Sequence, residues 1–446
     1  MVGDEDNTLK AGNQPKLANL SALVTFLGQH WLILLALIPL FRILVLTSWD
    51  GSFTNWQSSS RISWLPSLYV ELAVICIALL HKMSALQMFR DLSRLVQLLA
   101  CGWLVALVTA SSSATFPQLA VMSAVIWIVH LLFAVSIVHL VRCYDINCIS
   151  MVRNFCLVLA ASSALTGAAI FAFVTITGVD SAYDWKSSLP GYAHIRHTGY
   201  IFAPAIASGL AGMAVWPKFQ SKPHAILLMV NITAMLWLGS RGPAAALILA
   251  VGITALFSSH FHTRLFWKHA GIATAAGSIL SILLPAPTIG WFGAIQRFWN
   301  GNTGPSDLSS GRTEIWLETI RLISDRPWLG FGGMQFQHVN SAAAGFFKHP
   351  HNSILQFAFD WGLLGCTAML LMLAIAYFRL VLGKSIDSRL RSFGLLGATT
   401  MLAFSMLDGI LFYNFTIAVT IIFLLLPLAS LSPDETGASG HPFPSL

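Results

Sequence analysis

His351 and three arginines, Arg196, Arg241 and Arg312, each stand close to where a polar stretch of this chain gives way to an apolar one. An arginine guanidinium binds phosphate oxygens through two parallel hydrogen bonds and stays charged at any physiological pH. A histidine has an unperturbed pKa of about 6.5, so it can take a proton from a sugar hydroxyl at neutral pH. Together these are residue types that removal of a pyrophosphate leaving group by a sugar hydroxyl could use. The base works on one side and fixed positive charge receives the leaving group on the other.

Singly, each residue has a plainer reading. A boundary arginine anchors lipid headgroups and a boundary histidine is an interfacial side chain. Their arrangement argues for more. Arg241 is the one charge in the turn Gly239-Ser240-Arg241-Gly242-Pro243, which is too short to need any. Two or three such arginines could neutralise a lipid-borne pyrophosphate without a metal, and no nucleotide site is needed. The only D-x-D, Asp4-Glu5-Asp6, lies in a polar tail and reads as a solvated charge run. Gly330-Phe331-Gly332-Gly333 follows a helical pattern rather than a strand, so it reads as a turn and not as a phosphate loop. His194 and His197 could hold a metal only on a helix, and Pro190-Gly191 just before them argues for a loop. Ser240 has no partnered base nearby in sequence.

The elements that must position these residues are membrane spans. The chain has 446 residues, 56% hydrophobic and 10% charged, with mean hydropathy +0.72. Soluble domains carry about 25% charged residues. A span takes about 20 apolar residues, which places spans at 24–48, 65–81, 95–114, 118–141, 154–178, 198–216, 224–240, 243–259, 269–288, 353–378, 391–408 and 410–431. The expected fold is therefore an all-α polytopic membrane protein of about twelve helices. Its parts would be a cytoplasmic tail 1–23, helices over 24–288, a long outer loop 289–352, helices over 353–431 and a disordered tail 432–446. The first span itself would direct insertion.

With the N-terminus inside, fifteen Lys and Arg fall in inner segments and nine in outer ones, five of those nine in the long loop. The excess inside fixes the orientation, both termini cytoplasmic. The outer arginines run against it and call for another reason. Trp49, Trp56 and Trp64 flank the first outer loop as interfacial aromatics. Net charge is +7, but the basic residues are scattered, which excludes nucleic acid as a partner. The six cysteines show no zinc spacing and no disulfide framework.

Within the long loop, Ser309-Ser310-Gly311-Arg312-Thr313-Glu314 reads as a helix start with a capping box from Ser310. Ile315, Trp316, Ile320 and Ile323 then recur at helical spacing, which predicts an amphipathic helix lying apolar side down on the membrane. Charges inside spans call for partners. Arg42 and Glu71, in consecutive antiparallel spans, are expected to form an ion pair. Asp360 either orients a catalytic group or accepts an interhelical hydrogen bond. His130 and His139 read as interhelical hydrogen-bonders.

At this point the residues resemble a known family. His351-Asn352, nine residues, then Gly362-Leu363-Leu364-Gly365 is similar to the H-N-x9-G-x-x-G signature of bacterial O-antigen ligases. Further similar blocks are Gly311-Arg312-Thr313-Glu314-Ile315-Trp316, Arg326-Pro327-Trp328-Leu329-Gly330-Phe331-Gly332, His349-Pro350-His351-Asn352, Ser240-Arg241-Gly242, and Arg196 with Gly199 and Pro204. One departure is that Ala205 and Ile206 stand where the family often has Asn after the proline. The resemblance implies a GT-C-type membrane glycosyltransferase of the bacterial inner membrane with a periplasmic active site. It would transfer O-antigen from undecaprenyl pyrophosphate to lipid A-core oligosaccharide, with inversion and without metal or other cofactor. It implies His351 as general base and Arg241 and Arg312 on the donor pyrophosphate. Arg196, His349, Asn352 and His338 would contact substrate. A monomer would suffice for all these roles. An O-antigen polymerase or a protein O-oligosaccharyltransferase would share donor and outer face. A transporter would instead need an internal repeat or charged, broken spans at the midplane.

Overall fold

The computed structural model describes residues 26–28, 30–45, 65–144, 147–177, 189, 191–192, 195–216, 221–285, 292–299, 312–340 and 347–431. The two tails, Trp49, Trp56, Trp64, Lys186, His194 and the helix-start residues Ser309–Gly311 lie outside these described residues. Among the described residues there is no strand, and one isolated bridge joins Leu189 to Tyr192. In chain order the helices are α1 (Ile38–Val45), α2 (Leu65–Leu80), α3 (Ala85–Arg90), α4 (Arg94–Ser112), α5 (Pro117–Cys143) and α6 (Cys148–Thr177). Then come α7 (Gly199–Val215), α8 (Ser221–Trp237), α9 (Gly242–Phe257), α10 (Arg264–Leu283) and α11 (Ala294–Trp299). The last are α12 (Arg312–Asp325), α13 (Phe336–Val339), α14 (Ser353–Leu382), α15 (Ser388–Leu407) and α16 (Asn414–Ala429).

Six described segments are long and apolar enough to cross a membrane: α4, α5, α6, Ile195–Val215, α14 and α15. Helices α2, α9 and α16 are apolar but shorter. Their outward faces carry large apolar side chains that water would not tolerate in such number. Ile248 on α9, Leu283 on α10 and Leu382 on α14 are 76%, 72% and 70% exposed. The chain is an all-α polytopic membrane protein, with lipid as the solvent of those faces.

Helix α7 is the centre. Every residue from Gly199 to Val215 is buried, as an all-round apolar helix requires. It is rich in Gly and Ala, so neighbouring backbones approach closely, and α6, α8, α9, α15 and α16 pack on it. Whatever stands at the N-terminal end of α7 is therefore surrounded by the ends of other helices.

Two expectations need correction. Arg42 does not pair with Glu71. Helix α1 packs chiefly on α6 while α2 packs on α5, so neighbours in sequence are not the closest neighbours in space. Glu71 Oε2 meets His130 Nδ1 at 2.6 Å, both buried. Arg42 Nη2 donates to the Gly191 carbonyl at 2.6 Å, and its guanidinium lies 4.4 Å from the Tyr192 ring centroid. His139 Nε2 donates to the His81 carbonyl at 3.0 Å, an interhelical bond of the kind read for both histidines.

The second correction concerns α12. Its buried face is Ile315, Thr319 and Leu322, while Ile320 is half exposed. The cause is the segment after it, which folds back and packs Phe331 and Phe336, with Phe359 of α14, against Ile315 and Leu322. Ile315, and Ile323 in part, thus meet protein rather than the membrane surface, while Ile320 and Leu317 stay outward.

That returning segment also repairs a break in α14. Gly362 has φ 66° and ψ 179° inside the helix, so the helical hydrogen-bond ladder is interrupted there. Phe331 N–H donates to the Phe359 carbonyl (2.8 Å), Gly332 N–H to the Asp360 carbonyl (2.9 Å), and Leu363 N–H to the Pro327 carbonyl (2.7 Å). Backbone groups away from water need such partners. Only glycine fits: its φ is positive, and a Cβ would run into the Trp328 carbonyl. Gly330-Phe331-Gly332-Gly333 is thus a docking turn, and the two distant blocks form one structure.

Candidate functional site

The site lies where the N-terminal ends of α7 and α14 meet the α8–α9 and α15–α16 turns. Helix α15 ends at Leu407. Asp408 and Gly409 follow, then the short turn Ile410–Phe412 and Tyr413 ahead of α16. Asp408 is buried, and its backbone N–H still donates to the Phe404 carbonyl at 2.8 Å. Its carboxylate faces the start of α14.

His351 precedes α14 by two residues and holds φ 54°. That left-handed conformation costs a non-glycine residue roughly 1–3 kcal/mol, so its surroundings must hold it. They do so at several points. His351 Nδ1 lies 2.6 Å from Asp408 Oδ1, and its backbone N–H donates to His349 Nδ1 at 3.2 Å. Trp316 of α12 donates from Nε1 to the Pro350 carbonyl at 2.8 Å. Asn352 caps α14 by accepting from the Leu355 N–H at 3.1 Å, while its Nδ2 donates to the Met406 carbonyl at 3.1 Å. A Cβ on Gly409 would run into the His349 ring, so the α15–α16 turn can press this close only as glycine.

This geometry sets the state of His351. Because Nδ1 faces a carboxylate, it carries the proton and Nε2 is left as the acceptor. The ring is 12% exposed on its side chain, enough to be reached. Burial raises the Asp408 carboxyl, but the hydrogen-bonded His351, then Arg312 and His349, outweigh it and hold it well below the usual carboxylate range. Asp408 sits in the turn after α15, and there it stays ionised at neutral pH.

Arg312 opens α12, and its Nη2 lies 3.8 Å from Asp408 Oδ2. Asp408 therefore has one oxygen toward the histidine and the other toward an arginine. Arg196 sits in the tight turn Ile195–Thr198 that leads into α7, within electrostatic reach of Asp408, Arg312, Tyr200 and Arg241. Arg241 is placed by the end of α8. Gly239 takes φ 81° there, its N–H donates to the Leu236 carbonyl (3.0 Å), and the Ser240 N–H donates to the Met235 carbonyl (3.0 Å). This is a Schellman motif, and it leaves Arg241 at the N-cap of α9 with Pro243 in the first turn. The Arg196 and Arg241 turns touch: a Cβ on Gly199 would lie 3.2 Å from Pro243 Cγ and 3.4 Å from Ser240 Oγ and Phe404 Cζ.

Of the sequence-read residues, the structure gathers His351, His349, Asn352, Arg312, Arg196 and Arg241 about Asp408. Both ring nitrogens of His349 and both ends of the Asn352 amide are engaged within the protein. His338 stands elsewhere: exposed, its ring 4.6 Å from Phe116 and its Nε2 2.9 Å from Gln337 Nε2. Asp360 is buried in the broken part of α14, with its carbonyl used by Gly332. Asp408 was not among the candidates. Its signal was present, since it is the one carboxylate between Asp387 and Asp434 and stands where two apolar segments join. Tyr413 was missed too, and tyrosine at a helix start carries no comparable mark.

His349, His351 and Asp408 bring three possible ligand atoms within 4.8 Å of one another. The donors are already joined, however. The 2.6 Å contact between His351 and Asp408 is a hydrogen bond, shorter than the roughly 3.4 Å that separates two tetrahedral ligands at about 2.0–2.2 Å from an ion. Arg312 beside the second oxygen further disfavours a cation. The arrangement instead offers Nε2 as a base, an anion behind it, and a surplus of guanidinium charge alongside.

Comparison with known proteins agrees in part of the chain. Residues 224–370 match the O-antigen ligase family, a stretch that holds Arg241, Arg312 and His351. The O-antigen ligase of Pseudomonas aeruginosa is 28% identical over 261 residues, 55% of this chain and 56% of that one. The match thus spans little more than half the length of the curated relative. Set beside the His351–Asp408 pair and the gathered arginines, these two matches make the chain similar to O-antigen ligases over the part that carries the site.

Proposed function

We propose that this protein transfers O-antigen polysaccharide from undecaprenyl pyrophosphate to a hydroxyl of the lipid A-core oligosaccharide, at the periplasmic face of the inner membrane. The observation that carries this reading is His351 bonded to an ionised, buried Asp408 that also adjoins Arg312.

His351 Nε2 takes the proton from the acceptor hydroxyl as its oxygen attacks the anomeric carbon. Asp408 keeps the histidine in the tautomer that leaves Nε2 free and stabilises the imidazolium as it forms. On the opposite side the bond from the anomeric carbon to the phosphate oxygen breaks. Arg312, Arg241 and Arg196 receive the pyrophosphate, whose negative charge rises as it leaves. Attack opposite the leaving group inverts the anomeric centre. The guanidinium groups do the work a divalent ion would otherwise do, and the apolar outer faces of the bundle suit the polyprenyl tail.

The test is transfer by purified protein in liposomes, with a chelator present, from an undecaprenyl pyrophosphate-linked glycan to lipid A-core, read on a gel. A shifted lipid A-core band is expected, and it should vanish in a correctly inserted His351→Ala variant. A ladder lengthening on the undecaprenyl lipid with no lipid A-core shift would make the protein a polymerase. A shift that survives His351→Ala would remove the base.

A further inference from the structure

Behind His351 runs a second hydrogen-bonded chain that the transfer chemistry does not use. His351 N–H donates to His349 Nδ1 (3.2 Å), His349 Nε2 lies 3.2 Å from the Tyr413 hydroxyl, and that hydroxyl lies 3.1 Å from His197 Nε2. His349 and His197 are buried, as is Tyr413, and the His197 ring stacks on Tyr200 at a centroid distance of 5.2 Å. The chain runs from the base inward to the turn Ile195–Thr198 that leads into the central helix, through side chains from three separate parts of the sequence.

Its direction is fixed by one atom. A backbone N–H can only donate, so His349 Nδ1 must accept. A neutral imidazole has one N–H, so that proton is on Nε2 and is donated to the Tyr413 oxygen. The Tyr413 hydroxyl thus accepts from His349 and lies 3.1 Å from His197 Nε2, with Tyr200 as a further hydrogen-bond partner. The His349 tautomer and its bond to Tyr413 follow from the first bond, and neither needs a charge.

From this we propose that Tyr413 and His197 are positioning residues for the transfer reaction: through His349 they fix the acceptor that holds His351 in its left-handed backbone conformation and so aim Nε2. The inference rests on the reading of His351 as the base. A left-handed histidine is strained and relaxes if its N–H loses its partner. Relaxation would swing the ring away from Asp408 and from the acceptor hydroxyl. An error of about 1 Å in a base costs on the order of 100-fold in rate.

Two isosteres separate this role from simple packing. Asparagine at 349 places its amide oxygen near the position of Nδ1 and keeps the acceptor for His351. Glutamine reaches the position of Nε2, keeping the Tyr413 contact but losing that acceptor. In the liposome assay, His349→Asn should stay within about 5-fold of wild-type kcat, and His349→Gln should fall about 10- to 100-fold. Tyr413→Phe should fall about 10-fold, and donor KM should be unchanged in all three because the arginines are untouched. Equal kcat in the Asn and Gln variants, or wild-type kcat in Tyr413→Phe, would overturn the proposal. So would a loss carried by donor KM. If His351→Ala itself still transfers glycan, the reading of the base fails. If His351→Ala is inactive while Tyr413→Phe and His349→Gln are not impaired, the positioning chain alone fails.

Discussion

Replacing Asp408 by asparagine keeps the volume of the side chain and removes its charge, so the α15–α16 turn should persist while its chemistry changes. The 2.6 Å bond to His351 becomes neutral. A charge-assisted hydrogen bond contributes about 1.5–3 kcal/mol, against about 1 kcal/mol for a neutral one. The imidazolium formed during proton transfer therefore loses about 1–2 kcal/mol, or roughly 5- to 30-fold in kcat. A second effect depends on which way the amide points. If its NH2 group faces Nδ1, the histidine proton moves to Nε2 and the base is blocked. The equivalent change in a serine-protease triad lowers kcat about 10,000-fold. The expected fall in kcat thus lies between about 5-fold and 10,000-fold. Donor binding should move the other way. At 3.8 Å the Arg312–Asp408 attraction is about 4 kcal/mol at an effective dielectric of 20, and without it Arg312 is freer to bind phosphate. Donor KM should fall or stay level. The assay is initial-rate transfer in liposomes over a series of donor concentrations. A kcat within threefold of wild type, or a donor KM that rises in step with the loss, would refute the role given to Asp408.

Arg241→Ala and Arg312→Ala should each raise donor KM and lower kcat by at least about 10-fold, with Lys restoring only part because it lacks the two-pronged guanidinium; full restoration by Lys in the same rate series would speak against bidentate pyrophosphate binding. Gly362→Ala forces a Cβ onto the Trp328 carbonyl at φ 66° and should destabilise the detergent-solubilised protein by about 2–4 kcal/mol; an unchanged thermal midpoint would show that the loop–helix docking is not needed. Asp408, with its lowered pKa, stabilises the fold above the ordinary carboxylate range and loses that contribution as pH falls through its own lower value. Thermal stability of the wild type should therefore decline on acidification below about pH 4 more steeply than that of Asp408→Asn, and parallel curves would contradict the ion pair.

What the sequence made legible followed from solvent physics. Long apolar runs with few charges announce membrane helices whatever their neighbours, and arginines in short turns announce a reason to be there. The class of fold and the gathering of Arg196, Arg241, Arg312 and His351 are local statements of this kind. Pairings between helices are not. Arg42 and Glu71 are at matching depth in consecutive segments, yet they part because α1 packs on α6. The face of α12 was misjudged for a related reason: Ile320 looks as apolar as Ile315, and only the return of Phe331 and Phe336 decides which is buried. Asp408 is the instructive omission. A single acid at the joint of two apolar segments reads as a cap, and its partnership with His351, 57 residues earlier, belongs to tertiary structure.

The charge balance of the site gives its parts a common logic on the proposed reading. Three guanidinium groups at the mouth of a bundle repel one another, and Asp408 offsets one of them. A surplus of about two positive charges remains for the donor. A pyrophosphate linked at both ends carries about two negative charges, and it gains a third as the glycosidic bond to its oxygen breaks. Fixed positive charge is then better matched to the leaving group than to the intact donor, which is the condition for accelerating the step rather than merely binding its substrate. The same Asp408 that moderates the arginines also stabilises the histidine as it becomes positive. One carboxylate thus couples both ends of the reaction: positive charge grows on His351 at one of its oxygens while negative charge grows near Arg312 at the other. Moving that carboxylate to either end alone would serve only half of the transfer, which accounts for its burial between the two.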